Sequence, residues 1–393
     1  MIIYPEGHRK VRSGLDNLGT VHEWLEGRRL GLLTSPAGVD RMIRPAADIL
    51  FSQYHLSILF APEHGIRGDQ QAGAAVAATC DARTGLPVYS LYGDRKAPDP
   101  EQLAGIDTLV VDLQDVGSRY YTYLSTLAIV LKSCAKAGLP VVVLDRPNPL
   151  GGDRVEGPAL DPAFRSFVGC STLPARYGLT IGEFAGWINS EEQINCQLAV
   201  SRLTGWRRTM YFEETGLPWV SPSPNIPTVD SAVAYAGTCL FEGTNLSEGR
   251  GTTKPFELIG APWLNTEFVL SNIDQAALEG VVLRPCWFRP AFSKFAGELC
   301  AGLQIHCLDR RLFCPYAASV ALLEVIQAGH PEFSFLEPPT ADERFFIDLL
   351  SGSDDLRLHR GGSREDREGE ADIDRAAGAF ARQNHKYYLY SDC

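Results

Sequence analysis

The sequence predicts an α/β fold: a Rossmann-like N-terminal domain built on a parallel sheet, joined to a smaller α+β C-terminal domain. Three observations lead there. Short, nearly unbroken apolar runs recur along the first part of the chain, helix-compatible stretches lie between several of them, and polar clusters directly follow most runs. Strands buried on both faces read as continuous apolar runs, and alternation with helices marks a parallel sheet covered on both sides. Ligands in such sheets sit beyond the carboxyl ends of the strands, where the polar clusters fall.

In chain order, the strand candidates are Leu30–Thr34, Leu56–Ala61, Pro87–Leu91, Thr108–Leu113 and Pro140–Leu144, with helices expected at Arg44–Tyr54 and Tyr123–Ala137. A Gly- and Pro-rich irregular stretch follows to about Gly178. Thr180 then opens a helix, with Glu183 three residues later completing a capping box. Trp219–Asp230 reads as a loop, and Gly237–Trp263 is too rich in Gly, Thr, Asn and charge for a helix or strand interior. Tyr316–Gly329 is the clearest later helix, and Arg357–Asp374 reads as a solvated charged face. The domain boundary is expected near 250–265, dividing the chain into 1–255 and 256–393.

At 393 residues the chain has room for two domains of about 150 residues or more. Hydrophobic residues at 45% supply a large core, which excludes a disordered chain. Lys and Arg number 36 against 48 Asp and Glu, a net charge of −12 that argues against nucleic-acid or anionic-membrane surfaces. No apolar run approaches the ~20 residues of a membrane-spanning helix, so no membrane insertion is expected. Met1–Arg12 has no apolar signal-peptide core, and the 10 cysteines include no CxxC pair. Both features suggest a reducing, cytoplasmic setting. Cys300, Cys307 and Cys314 recur every seventh residue, a spacing that suits core packing better than zinc ligation.

Several motifs are missing. There is no GxGxxG or GxxxxGK[ST] phosphate cradle, no GxSxG nucleophile elbow and no HExxH. No cofactor or metal is expected, and the oligomeric state is not legible. Five polar clusters remain. In Ala61–Asp69, Glu63 follows a strand, where a crevice carboxylate can serve as a general acid; capping the turn or pairing with Arg67 would also explain it. His64 beside it reads as a hydrogen-bonding group. In Asp112–Tyr121, the acid, amide and aromatic groups of Asp115, Gln114 and Tyr120 suit sugar recognition, while Asp115 with Arg119 could be a local ion pair.

The third cluster sets Asn148, held extended by Pro149, near Glu156. The fourth, Ser223–Pro227, is similarly stiff around Asn225. In the fifth, Phe241–Thr253, the residues Glu242, Asn245, Glu248 and Arg250 could bind a carboxylated, hydroxyl-rich ligand, with Arg250 as the fork for its carboxylate. A turn held by Glu–Arg pairing would use the same residues.

These clusters, in this order, resemble the exo-β-N-acetylmuramidase family of the NamZ type. The matching stretches include Gly31–Val39, Leu59–Asp69, Val111–Leu124, Leu144–Gly152, Arg176–Thr180, Ser223–Pro227, Cys239–Trp263 and the ending Lys386–Tyr390. The resemblance implies a glycoside hydrolase that removes N-acetylmuramic acid from the non-reducing end of peptidoglycan fragments. It also implies a Rossmann-like domain with the pocket between it and a smaller second domain. By motif, the family's proposed catalytic glutamate falls on Glu63. Glycoside cleavage also needs a second group at the anomeric carbon. Asp115, Glu242 and Glu248 are the candidates, and the substrate's own N-acetyl group could assist. The lactyl carboxylate of muramic acid calls for a cation, with Arg250, Arg119 and Arg67 available. Two rival readings remain open at this point: a non-catalytic muropeptide-binding or sensing protein, and a Rossmann-like phosphosugar or nucleotide enzyme.

Overall fold

The computed structural model describes residues 11–67, 79–93, 95–340, 343–358 and 378–391. The first part alternates as expected: β1 (Arg29–Thr34), α1 (Ala46–Gln53), β2 (His55–Ala61), β3 (Thr79–Cys80), β4 (Pro87–Ser90), α2 (Pro100–Ala104), β5 (Thr108–Asp112), α3 (Tyr123–Ala137), β6 (Val141–Leu144), α4 (Ile181–Glu191) and β7 (Leu198–Ser201). The sheet order is β3-β4-β2-β1-β5-β6-β7, and only the short β3 runs antiparallel. The chain steps outward from β1 through β2 to β4, then returns to the other side of β1 with β5. The switch point between β1 and β5 opens the crevice in which such sheets bind ligands.

The unbroken apolar runs have their explanation in two cores. Leu109, Val111, Val141 and Val143 face one core, with α3 and α4. Val110, Val142 and Leu144 alternate to the other, with α1. Thr180 caps α4 through the anticipated box with Glu183.

The second part contains α5 (Phe212–Thr215), α6 (Val229–Thr238), β8 (Leu258–Ala261), α7 (Thr266–Asn272), β9 (Val281–Phe288), β10 (Cys300–Cys307) and α8 (Pro315–Gly329). Its sheet is antiparallel, ordered β8-β10-β9. Gly237–Trp263, expected to be irregular, holds the end of α6 and all of β8. Its glycines allow close approach there: a Cβ on Gly237 would lie 1.8 Å from the Pro315 carbonyl oxygen. One continuous core joins the two parts, running from Val111 and Leu127 through Tyr235 and Phe256 to Leu322. Cys300 and Cys307 bound β10, and Cys314 precedes α8. Beyond Leu358, the charged stretch Arg357–Asp374 lies outside the described residues. Among the described residues, no helix is long and apolar enough to cross a membrane.

Candidate active site

Glu63 sits just past the carboxyl end of β2, in a turn that the backbone specifies tightly. His64 and Gly65 are consecutive left-handed residues, with φ of 77° and 76°. A buried non-glycine residue in that region stores strain of about 1–3 kcal/mol, a cost tolerated where geometry matters. The first turn of α3 holds Glu63 from the side. Thr122 Oγ1 donates to Glu63 Oε2 at 3.0 Å. Tyr123 donates its hydroxyl to the Pro222 carbonyl at 2.8 Å and lies 3.5 Å from the Glu63 carbonyl oxygen.

A compact charge cluster from the 241–250 segment shares this site. Arg250 Nη2 lies 2.7 Å from Glu242 Oε1, and its Nε lies 3.3 Å from Glu248 Oε1. Lys294 completes the cluster, with Nζ 3.0 Å from Glu248 Oε2 and donating to the carbonyls of Phe241 and Leu246 at 2.8 and 2.9 Å. Its neighbours Ser293 and Phe295 are both left-handed, with φ of 72° and 57°, so strain is again concentrated here. Two carboxylates and two cations balance. Burial pushes the Glu242 carboxyl up, with Arg250 opposing and Glu248 adding. Tyr92 links the halves of the site. Burial, and then the Glu63 carboxylate to which its hydroxyl bonds, push its phenol up to about 12, while Arg250 opposes and Glu242 adds.

The sequence candidates therefore divide. Glu63, Glu242, Glu248 and Arg250 come together. Asp115 is buried behind them, accepting from the Tyr177 hydroxyl and from Gly117 N at 2.7 Å, and burial raises it to about 7. Tyr120 is buried edge-on to Tyr235. Asn225 is buried in the loop that offers Pro222 to Tyr123, and its Nδ2 has no hydrogen-bond partner among the described residues. His64 is buried in the strained turn.

The remaining candidates are engaged within the protein. Arg119 makes no pair with Asp115; its buried guanidinium donates to the carbonyls of Pro158, Leu173, Leu350 and Ser351 at 2.6–2.9 Å. Arg67 forks onto Asp81 at 2.9 Å and reaches Asp48 at 3.0 Å. Gln114 donates to the Asp115 and Pro147 carbonyls, and Asn148 to that of Leu179. Glu156 pairs with buried Arg176 at 2.5 Å, and Asn245 ties down the 332–334 segment.

Tyr92, Thr122, Tyr123 and Lys294 were missed. Tyr92 follows β4, so the rule that polar groups gather after strand ends could have found it. Lys294 offers no local signal. Among the described residues, no group of three or more His, Cys, Asp or Glu could hold a metal ion.

Fold and site together define an α/β enzyme whose carboxylates converge beside the switch-point crevice of a parallel sheet. The chain belongs to the exo-beta-N-acetylmuramidase NamZ family, whose N-terminal profile matches residues 30–230 and whose C-terminal profile matches 233–390. It is 46% identical over 338 residues to the peptidoglycan beta-N-acetylmuramidase NamZ of Bacillus subtilis (strain 168), covering 85% of this chain and 82% of that one. Two crystal structures of DUF1343 family proteins from Bacteroides fragilis NCTC 9343 share the fold. One superposes with a TM-score of 0.87 at 35% identity over 97% of this chain and 99% of its own. The other gives 0.77 at 28% identity over 98% and 99%.

Proposed function

We propose that this protein is an exo-acting glycoside hydrolase that releases N-acetylmuramic acid from the non-reducing end of peptidoglycan fragments carrying MurNAc-β-1,4-GlcNAc. The observation that carries the reading is the family membership, together with the convergence of Glu63 and the Glu242–Arg250 pair. Glu63 protonates the leaving oxygen. Glu242 acts on the anomeric side, the second task that glycoside cleavage requires. Its accessibility supports the choice: it keeps 19% of its side chain open, against 2% for Glu248, while Asp115 is buried. We assign the lactyl carboxylate to Arg250, which lies beside Glu242 with 23% of its side chain accessible. The amino-sugar substrate is met in the cytoplasm, a placement supported by free, mostly buried cysteines.

The test is incubation with the MurNAc-β-1,4-GlcNAc disaccharide. Free N-acetylmuramic acid accumulates if the proposal holds. A protein that only binds muropeptides would show a raised melting temperature without release.

A further inference from the structure

Among the described residues, three threonines immediately precede an α-helix, and one of them behaves differently. Thr180 and Thr228 cap α4 and α6 in the ordinary way, their side chains accepting from the amides of Glu183 and Ser231. Thr122 stands just before α3 and makes no such bond to its own helix. Its hydroxyl reaches instead across 59 positions of sequence to Glu63 Oε2, at 3.0 Å. Thr122 has helical backbone angles, φ −67° and ψ −11°, where Thr180 and Thr228 are extended, so its side chain is turned away from the capping geometry and is free for another partner.

The chemistry of the contact indicates the task. A threonine hydroxyl carries one proton, and a neutral carboxylic acid has one hydroxyl and one carbonyl oxygen. With Glu63 in its acid form and Thr122 donating to Oε2, the carboxyl proton resides on Oε1. Tyr92, which also bonds this carboxyl, is the second hydroxyl that holds it. Tyr123, the next residue, bridges the same turn to the Pro222 loop and flanks the Glu63 main chain. One helical turn therefore holds both the backbone and one carboxyl oxygen of Glu63, against a turn already constrained at His64.

We infer that Thr122 is a positioning residue of the reaction: its hydroxyl fixes Glu63 Oε2 and keeps the transferable proton on Oε1. This rests on the reading of Glu63 as the acid. In the transfer step, the Oε1–H bond breaks as the proton passes to the glycosidic oxygen; that oxygen departs with the electron pair of its bond to the anomeric carbon, which takes its new bond from the Glu242 side. Glu63 is left as a carboxylate, still accepting from Thr122.

The experiment compares wild type, Thr122→Val, Thr122→Ser and Glu63→Gln on the disaccharide, following kcat, KM and melting temperature. Valine keeps the shape and removes the hydroxyl, while serine restores it. Thr122→Val is expected to lower kcat by about 10- to 100-fold, the scale of a lost hydrogen bond to an ionisable group, with KM within about twofold. Its melting temperature stays at the wild-type value, since no cap is lost, and Thr122→Ser recovers most of kcat. Wild-type kcat in Thr122→Val overturns the inference. So do equal losses in the serine and valine variants, or a kcat loss that tracks a fall in melting temperature. Full activity in Glu63→Gln instead overturns the reading of Glu63 as the acid, and the inference with it.

Discussion

At the residue scale, the site turns on which charges are already balanced inside the protein. Arg119 and Arg250 look alike as loop arginines beside acidic residues, yet one binds carbonyls in the interior and the other lies against Glu242 with 23% of its side chain accessible. No local pattern separates them, because the carbonyls of Leu350 and Ser351 reach Arg119 from more than 200 positions away. Glu63 was legible, since it follows an apolar strand and carries the family motif. Its partner Thr122 was not, because an N-terminal helix threonine normally signals a cap. If Arg250 receives the lactyl carboxylate, Arg250→Gln raises KM for muramoyl substrates by about tenfold or more and leaves glucosaminide binding little changed. Initial rates on matched substrates check this, and equal effects on both would point to a purely structural role.

At the element scale, the parallel sheet was readable because each strand is buried on both faces. The later strands were not. β9 carries Pro285 and an alternating buried and exposed pattern, which an edge strand tolerates, and β10 mixes glycine and cysteine with its apolar residues. The carboxyl ends of β5 and β6 are joined by Arg146, which forks onto the fully buried Asp112 at 2.5 and 2.8 Å. Burial raises Asp112, and Arg146 opposes that shift. Arg146→Met leaves the acid unpaired and is expected to cost about 3–5 kcal/mol in unfolding free energy, measured by denaturant titration.

At the scale of the whole molecule, the C-terminal segment folds back onto the sheet. Tyr390 donates to Asp145, and Leu389 N donates to Glu183 at 2.8 Å. Burial raises both Asp145 and Asp115 to about 7, from an ordinary 3.8. The unfolded chain releases these protons near pH 4, and the native state holds them until about pH 7. Their contribution to stability is therefore complete below about pH 4 and is lost as pH rises to 7. Asp81 works in the opposite sense: Arg67 holds it at about 2, so its contribution is lost as pH falls from 4 towards 2. Unfolding free energy measured across pH 4–7 should decline in wild type, and Asp145→Asn should reduce the decline. Its amide would face the hydroxyls of Thr180 and Tyr390, both able to accept. The account as a whole depends on Glu63 as the acid of an exo-muramidase. Release of N-acetylmuramic acid from the disaccharide, compared between wild type and a folded Glu63→Gln protein, tests it most directly. The account predicts ready release by wild type and a loss of about 100-fold or more in the variant. Equal release by both proteins would contradict it.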